Sequence, residues 1–108
     1  MTILTFKEMA LSFPETVETS HFERVAFKIT NKRIFATLHE PSATANFKFS
    51  KDEQVLFCSY NSKAIYPVAN KWGLQGWTTI ELGNIAQELI LEALESAYNE
   101  ALKAKSKK

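Results

Sequence analysis

Residues 21–39 of the chain, HFERVAFKITNKRIFATLH, alternate between apolar and polar side chains around a central polar pair. In the first half, Val25, Phe27 and Ile29 fall on one side of an extended chain, and Arg24, Ala26 and Lys28 fall on the other. Asn31–Lys32 interrupts the alternation, and asparagine readily adopts the backbone conformation of a tight turn. The stretch therefore predicts a strand from His21 to Thr30, a turn, and a returning strand from Arg33 to His39.

The returning strand and the strand after it keep the same period of two. In the returning strand, Ile34, Ala36 and Leu38 alternate with Arg33, Phe35, Thr37 and His39. A loop at residues 41–44 leads to a third strand, Ala45–Phe49, which points Phe47 and Phe49 inward and Asn46 and Lys48 outward. This parity predicts a sheet with one apolar face and one open face, and it places Phe35 among the cations of the open face.

Helices and two further strands surround these three strands. A first helix is expected from Thr2 to Phe13, capped by Thr2 or Thr5, with residues 13–18 as a connector. The pattern Ser50-x-x-Glu53 is a capping box that begins a second helix, ending near Tyr60. The remaining elements are an edge strand at Ala64–Val68, a turn-rich segment at 70–76, a fifth strand at Trp77–Leu82 and a final helix capped by Asn84. The order predicts an α+β fold, a two-layer sandwich with an antiparallel sheet and the helices on one face.

Length and composition limit the classes of protein that fit. The 108 residues suit one domain, predicted over residues 1–102, followed by a lysine-rich tail at 103–108. No apolar run approaches the roughly 18 residues of a membrane span, and the N-terminus lacks the features of a signal peptide. The single cysteine, Cys58, precludes an internal disulfide. These features indicate a cytoplasmic protein without a membrane segment.

The charge is distributed unevenly along the chain. The net charge is +1, but four of the 13 basic residues lie in the tail, which has no acidic residue. Residues 1–102 therefore hold nine basic residues against all 12 acids, a net charge of −3. Strong nucleic-acid binders usually have a clear basic excess. Any binding of nucleic acid must therefore come from a local patch or from the tail.

No arrangement typical of an enzyme or a metal centre occurs in the sequence. His21, His39 and Cys58 are too few and too scattered for a zinc pattern. Cys58 lies among apolar residues of the second helix, where a thiol is usually an inert buried side chain. There is no glycine-rich phosphate loop, nucleophile elbow or HExxH pair. We expect no catalytic activity, no cofactor and no metal.

Three stretches resemble the MmcQ/YjbR family. They are LSFPETVE at residues 11–18, HFERVAFK at 21–28 followed by IFATL at 34–38, and NKWGLQGWT at 70–78. The most specific of them is the Trp-Gly-x-x-Gly-Trp segment from Trp72 to Trp77. The resemblance implies an α-β(3)-α-β(2)-α fold similar to secretion chaperones, which agrees with the element order derived above. Members of the family often carry a DNA-binding label, without a residue pattern that explains it.

The open face of the predicted sheet is the best candidate for a binding site. It gathers Arg24, Lys28, Arg33, Phe35, Thr37, His39 and Lys48, and the fifth strand adds Trp77, Thr79 and Glu81 by the same alternation. Cations interleaved with aromatic rings can hold a phosphate backbone and stack on bases. We therefore predict a nucleic-acid site formed by Arg24, Lys28, Lys48, Phe35, Lys71, Trp72 and Trp77.

These residues leave other interpretations open. The face can be an ordinary solvated sheet surface, with Trp72 and Trp77 folded back onto the core. Aromatic and arginine side chains are also the composition of protein interfaces, and edge strands can pair between copies. The leading hypothesis is a non-enzymatic binding module for DNA or another nucleic acid. The alternatives are a protein-interaction or chaperone-like module, including a homodimer, and a small-ligand site near the Trp72–Trp77 loop.

Overall fold

A computed structural model describes residues 1–103 as a six-stranded antiparallel sheet with helices. The helices are α1 (Ile3–Leu11), α2 (Lys51–Tyr60), the short α3 (Lys71–Leu74) and α4 (Gln87–Leu102), and a 3-10 turn spans Leu82–Asn84. The strands are β1 (Thr16–His21), β2 (Arg24–Ile29), β3 (Ile34–His39), β4 (Thr44–Lys48), β5 (Ile65–Pro67) and β6 (Trp77–Glu81). Their order across the sheet is β1-β2-β3-β4-β6-β5. The α+β class predicted from the sequence is confirmed, while residues 104–108 of the predicted tail lie outside the described residues.

Aromatic packing fixes the helices to one face of the sheet. The Phe6 ring of α1 meets Phe27 and Phe47 edge-on, at centroid distances of 5.9 and 6.1 Å. The Phe57 ring of α2 stacks on Phe49 at 4.6 Å. Phe6, Phe27, Phe47 and Phe49 are all completely buried. The opposite face, which no long helix covers, is the open face on which the candidate site lies. Of the helices within residues 1–103, none is long and apolar enough to cross a membrane.

Strand β1 was not predicted. The sequence pattern assigned residues 13–18 to a connector and began the first strand at His21, whereas Thr16–His21 is a separate strand paired with β2. Five of its six residues are exposed, because β1 lies at the edge of the sheet and packs little on either side. Such a strand shows no apolar alternation, so the period-2 signal is missing. Four strands therefore precede α2 instead of three.

Phe35 lies in the core, so its predicted place on the open face is wrong. The register pairs Phe27 with Ala36 and Lys28 with Ile34, which leaves Phe35 as an extra, unpaired residue in β3. This irregularity shifts the alternation by one position, as β-bulges do. The Phe35 ring is fully buried against Phe13 and Tyr98, while Ile34 turns to the open face.

The helix starts agree only partly with the predicted caps. The Ser50 hydroxyl accepts a hydrogen bond from the Glu53 backbone N–H at 3.2 Å, as expected of an N-cap. The Glu53 side chain, however, accepts from Ser96 of α4 at 2.8 Å instead of reaching back to Ser50. The predicted cap at Asn84 is wrong. Asn84 belongs to the 3-10 turn and donates to the Glu81 carboxylate, and α4 begins after Ala86.

Candidate functional site

A groove of about 680 Å³ crosses the open face, from the β1–β2 turn to α3 and β6. Its lining comprises three cations, three aromatic rings, His21, and a set of smaller or neutral side chains. The cations are Arg24, Arg33 and Lys48, and the aromatic rings are Phe22, Trp72 and Trp77. No Asp or Glu of residues 1–103 lines it. The groove is therefore locally cationic in a body that carries a net negative charge.

Hydroxyl and amide groups form the floor of the groove. Thr37 of β3 and Asn46 of β4 are direct cross-strand partners, and Asn46 in turn pairs with Thr79 of β6. The Thr79 hydroxyl donates to the Asn46 side-chain oxygen at 2.7 Å. Thr37 accepts from Arg24 at 2.9 Å. The strand register therefore places Thr37, Asn46 and Thr79 in a single row across three strands.

Arg24 has the most unusual environment in the groove. Its Nε donates to the Thr37 hydroxyl, which fixes the guanidinium plane. Its Nη2 is shielded from solvent and has no hydrogen-bond partner within residues 1–103. Burial lowers the pKa of the guanidinium, and no carboxylate offsets that burial. A buried charged donor without a partner is costly, and an anion held against the guanidinium from the groove would offset part of that cost.

Lys48 and Arg33 make a second cationic position. The Lys48 ammonium donates to the Phe49 carbonyl at 3.1 Å. Burial lowers the pKa of Lys48, Glu100 opposes this effect, and the nearby Arg33 lowers the pKa further. Both cations also line a smaller cleft of about 210 Å³, with Glu100 and Lys103 of the α4 end. The groove therefore continues towards the C-terminal end of α4.

Two glycines place the tryptophans beside the groove. A Cβ on Gly73 would stand 2.1 Å from the Val68 carbonyl oxygen, and one on Gly76 would stand 2.0 Å from that of Phe49. Gly76 also has a φ of +107°, a conformation that side chains rarely adopt. The Trp-Gly-x-x-Gly-Trp segment therefore needs its glycines because α3 approaches the neighbouring backbone so closely. This approach leaves Trp72 half-exposed and Trp77 across from Lys48.

Gln54 of α2 anchors this segment, and its role is not visible in the sequence. Its side-chain nitrogen donates to the Gly73 carbonyl at 2.9 Å, the Trp77 carbonyl at 3.2 Å and the Thr78 hydroxyl at 3.1 Å. Gln54 and Thr78 are both buried. The one sequence feature that could have indicated this role is a glutamine on the inner side of a helix, because a buried amide must find hydrogen-bond partners.

Phe22 is the aromatic residue of the groove that the sequence interpretation missed. His21 pairs with Arg24, so Phe22 and Glu23 form a two-residue hairpin loop. The Phe22 side chain is 95% exposed and its backbone φ is 58°. Its ring lies edge-on to His21 at a centroid distance of 5.0 Å. The pattern had assigned this residue to the start of a strand, so its position at the tip of a turn was hidden.

The structure brings together four of the seven predicted site residues, and they line the groove. These four are Arg24, Lys48, Trp72 and Trp77, and Arg33 joins them. Lys28 lies on the open face across from Val17 and Ile34, but it does not line the groove. Lys71 is exposed on α3, with its ammonium 6.0 Å from the Trp72 ring centre. Phe35, in the core, is absent from the site.

The side chains that could take part in nucleophilic chemistry or metal binding lie away from the groove. The Cys58 thiol is half-buried, and this burial raises its pKa, which disfavours the reactive thiolate. The His39 ring nitrogen Nδ1 bonds the Ser42 hydroxyl at 2.7 Å. Within residues 1–103, no three His, Cys, Asp or Glu side chains come together as a metal site would require. The groove is therefore the site with the clearest chemistry.

Comparison with known proteins gives both the fold and the family. The structure is similar to that of Deinococcus radiodurans protein DR2400, which has a DUF419 domain, with a TM-score of 0.80 and 22% identity over 94% of this chain and 79% of that one. It is also similar to a Pseudomonas syringae protein, with a TM-score of 0.68 and 17% identity over 94% and 99% of the two chains. Identities this low establish the fold alone.

No curated protein matches the chain. The family model YjbR matches residues 11–100, a range that includes every strand, the Trp-Gly-x-x-Gly-Trp segment and nearly all of α4. The resemblance noted in the sequence is therefore confirmed, and the chain belongs to the YjbR family.

Proposed function

We propose that the protein is a non-enzymatic binding module that takes nucleic acid in the groove of the open face. The observation that supports this most strongly is the lining itself, which combines three cations and three aromatic rings without an acid among the described residues. Cations in a groove attract the phosphate backbone, and aromatic faces stack on bases of any sequence. The expected ligand is therefore bound with little sequence preference.

Arg24 is the first phosphate contact in this proposal. Its guanidinium is held by Thr37, and its Nη2 finds no hydrogen-bond partner in the part of the chain that the structure describes. Arginine suits phosphate because its planar fork donates two parallel hydrogen bonds. Lys48 and Arg33 supply further contacts on the way to the smaller cleft at the end of α4.

The charge balance makes a definite prediction about salt. Because residues 1–102 carry a net charge of −3, attraction comes from the groove and not from the whole surface. Three phosphate contacts to a single strand imply a slope of log K against log salt near −2. A much steeper slope would indicate binding by the lysine-rich tail.

The test is an anisotropy titration of labelled single-stranded and duplex oligonucleotides at low and near-physiological salt. The proteins compared are the full chain, a version without residues 103–108, Arg24→Ala, Arg24→Lys and the control Lys63→Ala, which removes an exposed cation outside the groove. We expect Arg24→Ala to weaken binding and reduce the slope by about 0.7, with Arg24→Lys intermediate and Lys63→Ala unchanged. The groove would be rejected as the site if binding were lost on removal of residues 103–108, or if Arg24→Ala bound as tightly as the wild type.

Self-association through β1 is a second candidate function, and the contrast between the two edges of the sheet favours it. β5 is three residues long and ends in Pro67, which protects that edge. β1 has six residues and contains neither proline nor lysine, and among the strands of residues 1–103 it pairs with β2 alone. The candidate partner is β1 of a second copy of the chain, since two identical strands paired antiparallel can satisfy each other's free backbone N–H and C=O groups.

Sedimentation over a range of concentrations tests self-association. We expect a concentration-dependent mass that Val17→Lys lowers, because a lysine on the edge strand opposes pairing. Leu4→Lys makes a matched control, since it also replaces an exposed apolar residue by lysine, on α1 instead of the edge strand. A strict monomer at high micromolar concentration would reject this second function.

A further inference from the structure

Two features at the tip of the β1–β2 hairpin are unfavourable for the stability of the folded chain: a strained backbone conformation and an exposed apolar ring. Phe22 has a φ of 58°, a left-handed conformation that Gly, Asn or Asp normally occupies in a two-residue hairpin loop. Its ring is also 95% exposed. A bulky residue in the left-handed region is an outlier, and such outliers gather at functional sites, where the surrounding structure keeps them in place.

The tip lies at one side of the groove, and the tryptophans lie at the other. Phe22 follows β1 and precedes Arg24 of β2, while Trp77 belongs to β6. Three strand spacings separate β2 from β6, which is roughly 14 Å. Arg24, Thr37 and Lys48 lie on the strands between them. An aromatic surface therefore bounds each side of a polar, cationic floor.

We infer that Phe22 is a stacking residue for an unpaired base of the bound strand, and that the groove consequently selects single-stranded over duplex nucleic acid. This inference rests on the function proposed above. A base held inside a duplex presents its face only to its neighbours, whereas an unpaired base can lie on an exposed ring. Arg24, two residues further on, would hold the phosphate next to that base.

The experiment compares three probes of equal length: a labelled oligothymidylate, an abasic oligomer with the same backbone, and a duplex. The variants are Phe22→Gly, Phe22→Leu and Phe22→Trp, with Leu4→Ala as a control at another exposed apolar residue. Glycine suits the positive φ, so Phe22→Gly keeps the hairpin while removing the ring. Phe22→Leu keeps the apolar bulk but not the flat face.

We expect Phe22→Gly and Phe22→Leu to weaken oligothymidylate binding roughly ten- to hundredfold. Both should change abasic binding less than twofold, and Phe22→Trp should retain or tighten oligothymidylate binding. The wild-type protein should prefer oligothymidylate to both the abasic oligomer and the duplex. Urea unfolding of Phe22→Gly should show a midpoint no lower than that of the wild type.

Other outcomes overturn the inference in distinguishable ways. If the wild type binds oligothymidylate and the abasic oligomer equally, and Arg24→Ala weakens both while Phe22→Gly weakens neither, the groove binds phosphate only. If no probe binds, the proposed function fails and the stacking role with it. If Phe22→Gly instead abolishes a concentration-dependent mass in sedimentation, the ring serves contact between copies of the chain.

Discussion

The two faces of the sheet use aromatic side chains in opposite ways. On the covered face, Phe27, Phe47 and Phe49 are completely buried in the hydrophobic core. On the open face, Phe22 and Trp72 are exposed and share a groove with cations. Burial of an aromatic ring contributes to stability, whereas an exposed ring at a groove contributes only when a ligand covers it. Folding and binding should therefore separate by face, and substitutions can test this.

The largest difference in stability is expected when phenylalanine is replaced by alanine once on each face, in two separate variants. Phe47→Ala should lower the free energy of unfolding by about 3–5 kcal/mol, because it leaves a cavity among packed rings. Phe22→Ala removes the same atoms from a side chain that is 95% exposed, so stability should stay within about 0.5 kcal/mol of the wild type. Urea denaturation measures both. Similar losses would contradict the division between the faces.

The glycines give the next largest effect, at the junction of the two faces. Gly76→Ala should destabilise the protein by at least about 2 kcal/mol, because alanine is strained at this φ and its Cβ would meet the Phe49 carbonyl. Gly83→Ala is the matched control, since a Cβ there meets nothing within 4 Å. Thermal unfolding compares the two. Equal stability would show that the turn before β6 tolerates a side chain beside the Phe49 carbonyl.

A smaller change of opposite sign is expected on the open face. Lys48→Met removes a partly buried charge, so it should raise stability slightly while weakening nucleic-acid binding; the gain is small because solvent still screens the partly exposed ammonium. The folded-state pKa of Lys48 lies below the unfolded value, so the wild type gains stability as pH rises through that lowered pKa. The advantage of Lys48→Met should therefore shrink in alkaline solution.

Urea midpoints at neutral and alkaline pH check this dependence. Lys63→Met provides the control, because it makes the same substitution at a lysine that is exposed in a loop outside the groove. A Lys48→Met variant that is less stable at neutral pH would mean that the bond from Lys48 to Phe49 outweighs the cost of burial.

The strands that were predicted correctly are those in which apolar and polar residues alternate. Alternating apolar residues in Val25–Ile29 and Ala45–Phe49 identified two strands and their buried faces, because one side of each strand is covered. β1 was missed because neither of its sides is covered, so burial imposes no period on it. The position of Phe35 was wrong because one extra residue in β3 interrupts the alternation: Ile34 and Phe35 exchange faces, while Thr37 and Leu38 keep the faces that were predicted. Consecutive apolar residues at 34–36 give no sign of which one is extra.

The candidate site was predictable only in part, in its cations as in its aromatic rings. Lys28 and Lys71 were predicted but do not line the groove, and Arg33 lines it but had been placed only on the open face. Arg24, Lys48 and Trp77 follow from parity once the strands are placed. Trp72 was suggested by its neighbourhood alone, because its position depends on the docking of α3 through Gly73 and Gln54. Phe22 depends on where β1 ends, and a strand that leaves no pattern cannot indicate its own end.

The hairpin tip also suggests how the chain would respond to selection. A library screened only for resistance to heat or protease should lose the ring at residue 22 early, since glycine or asparagine suits the positive φ and exposes less apolar surface. The same library screened for ligand retention should keep an aromatic residue there. Buried positions such as Phe27 should retain the same residues in both screens. A position at which the two screens retain different residues is therefore one conserved for ligand binding and not for folding.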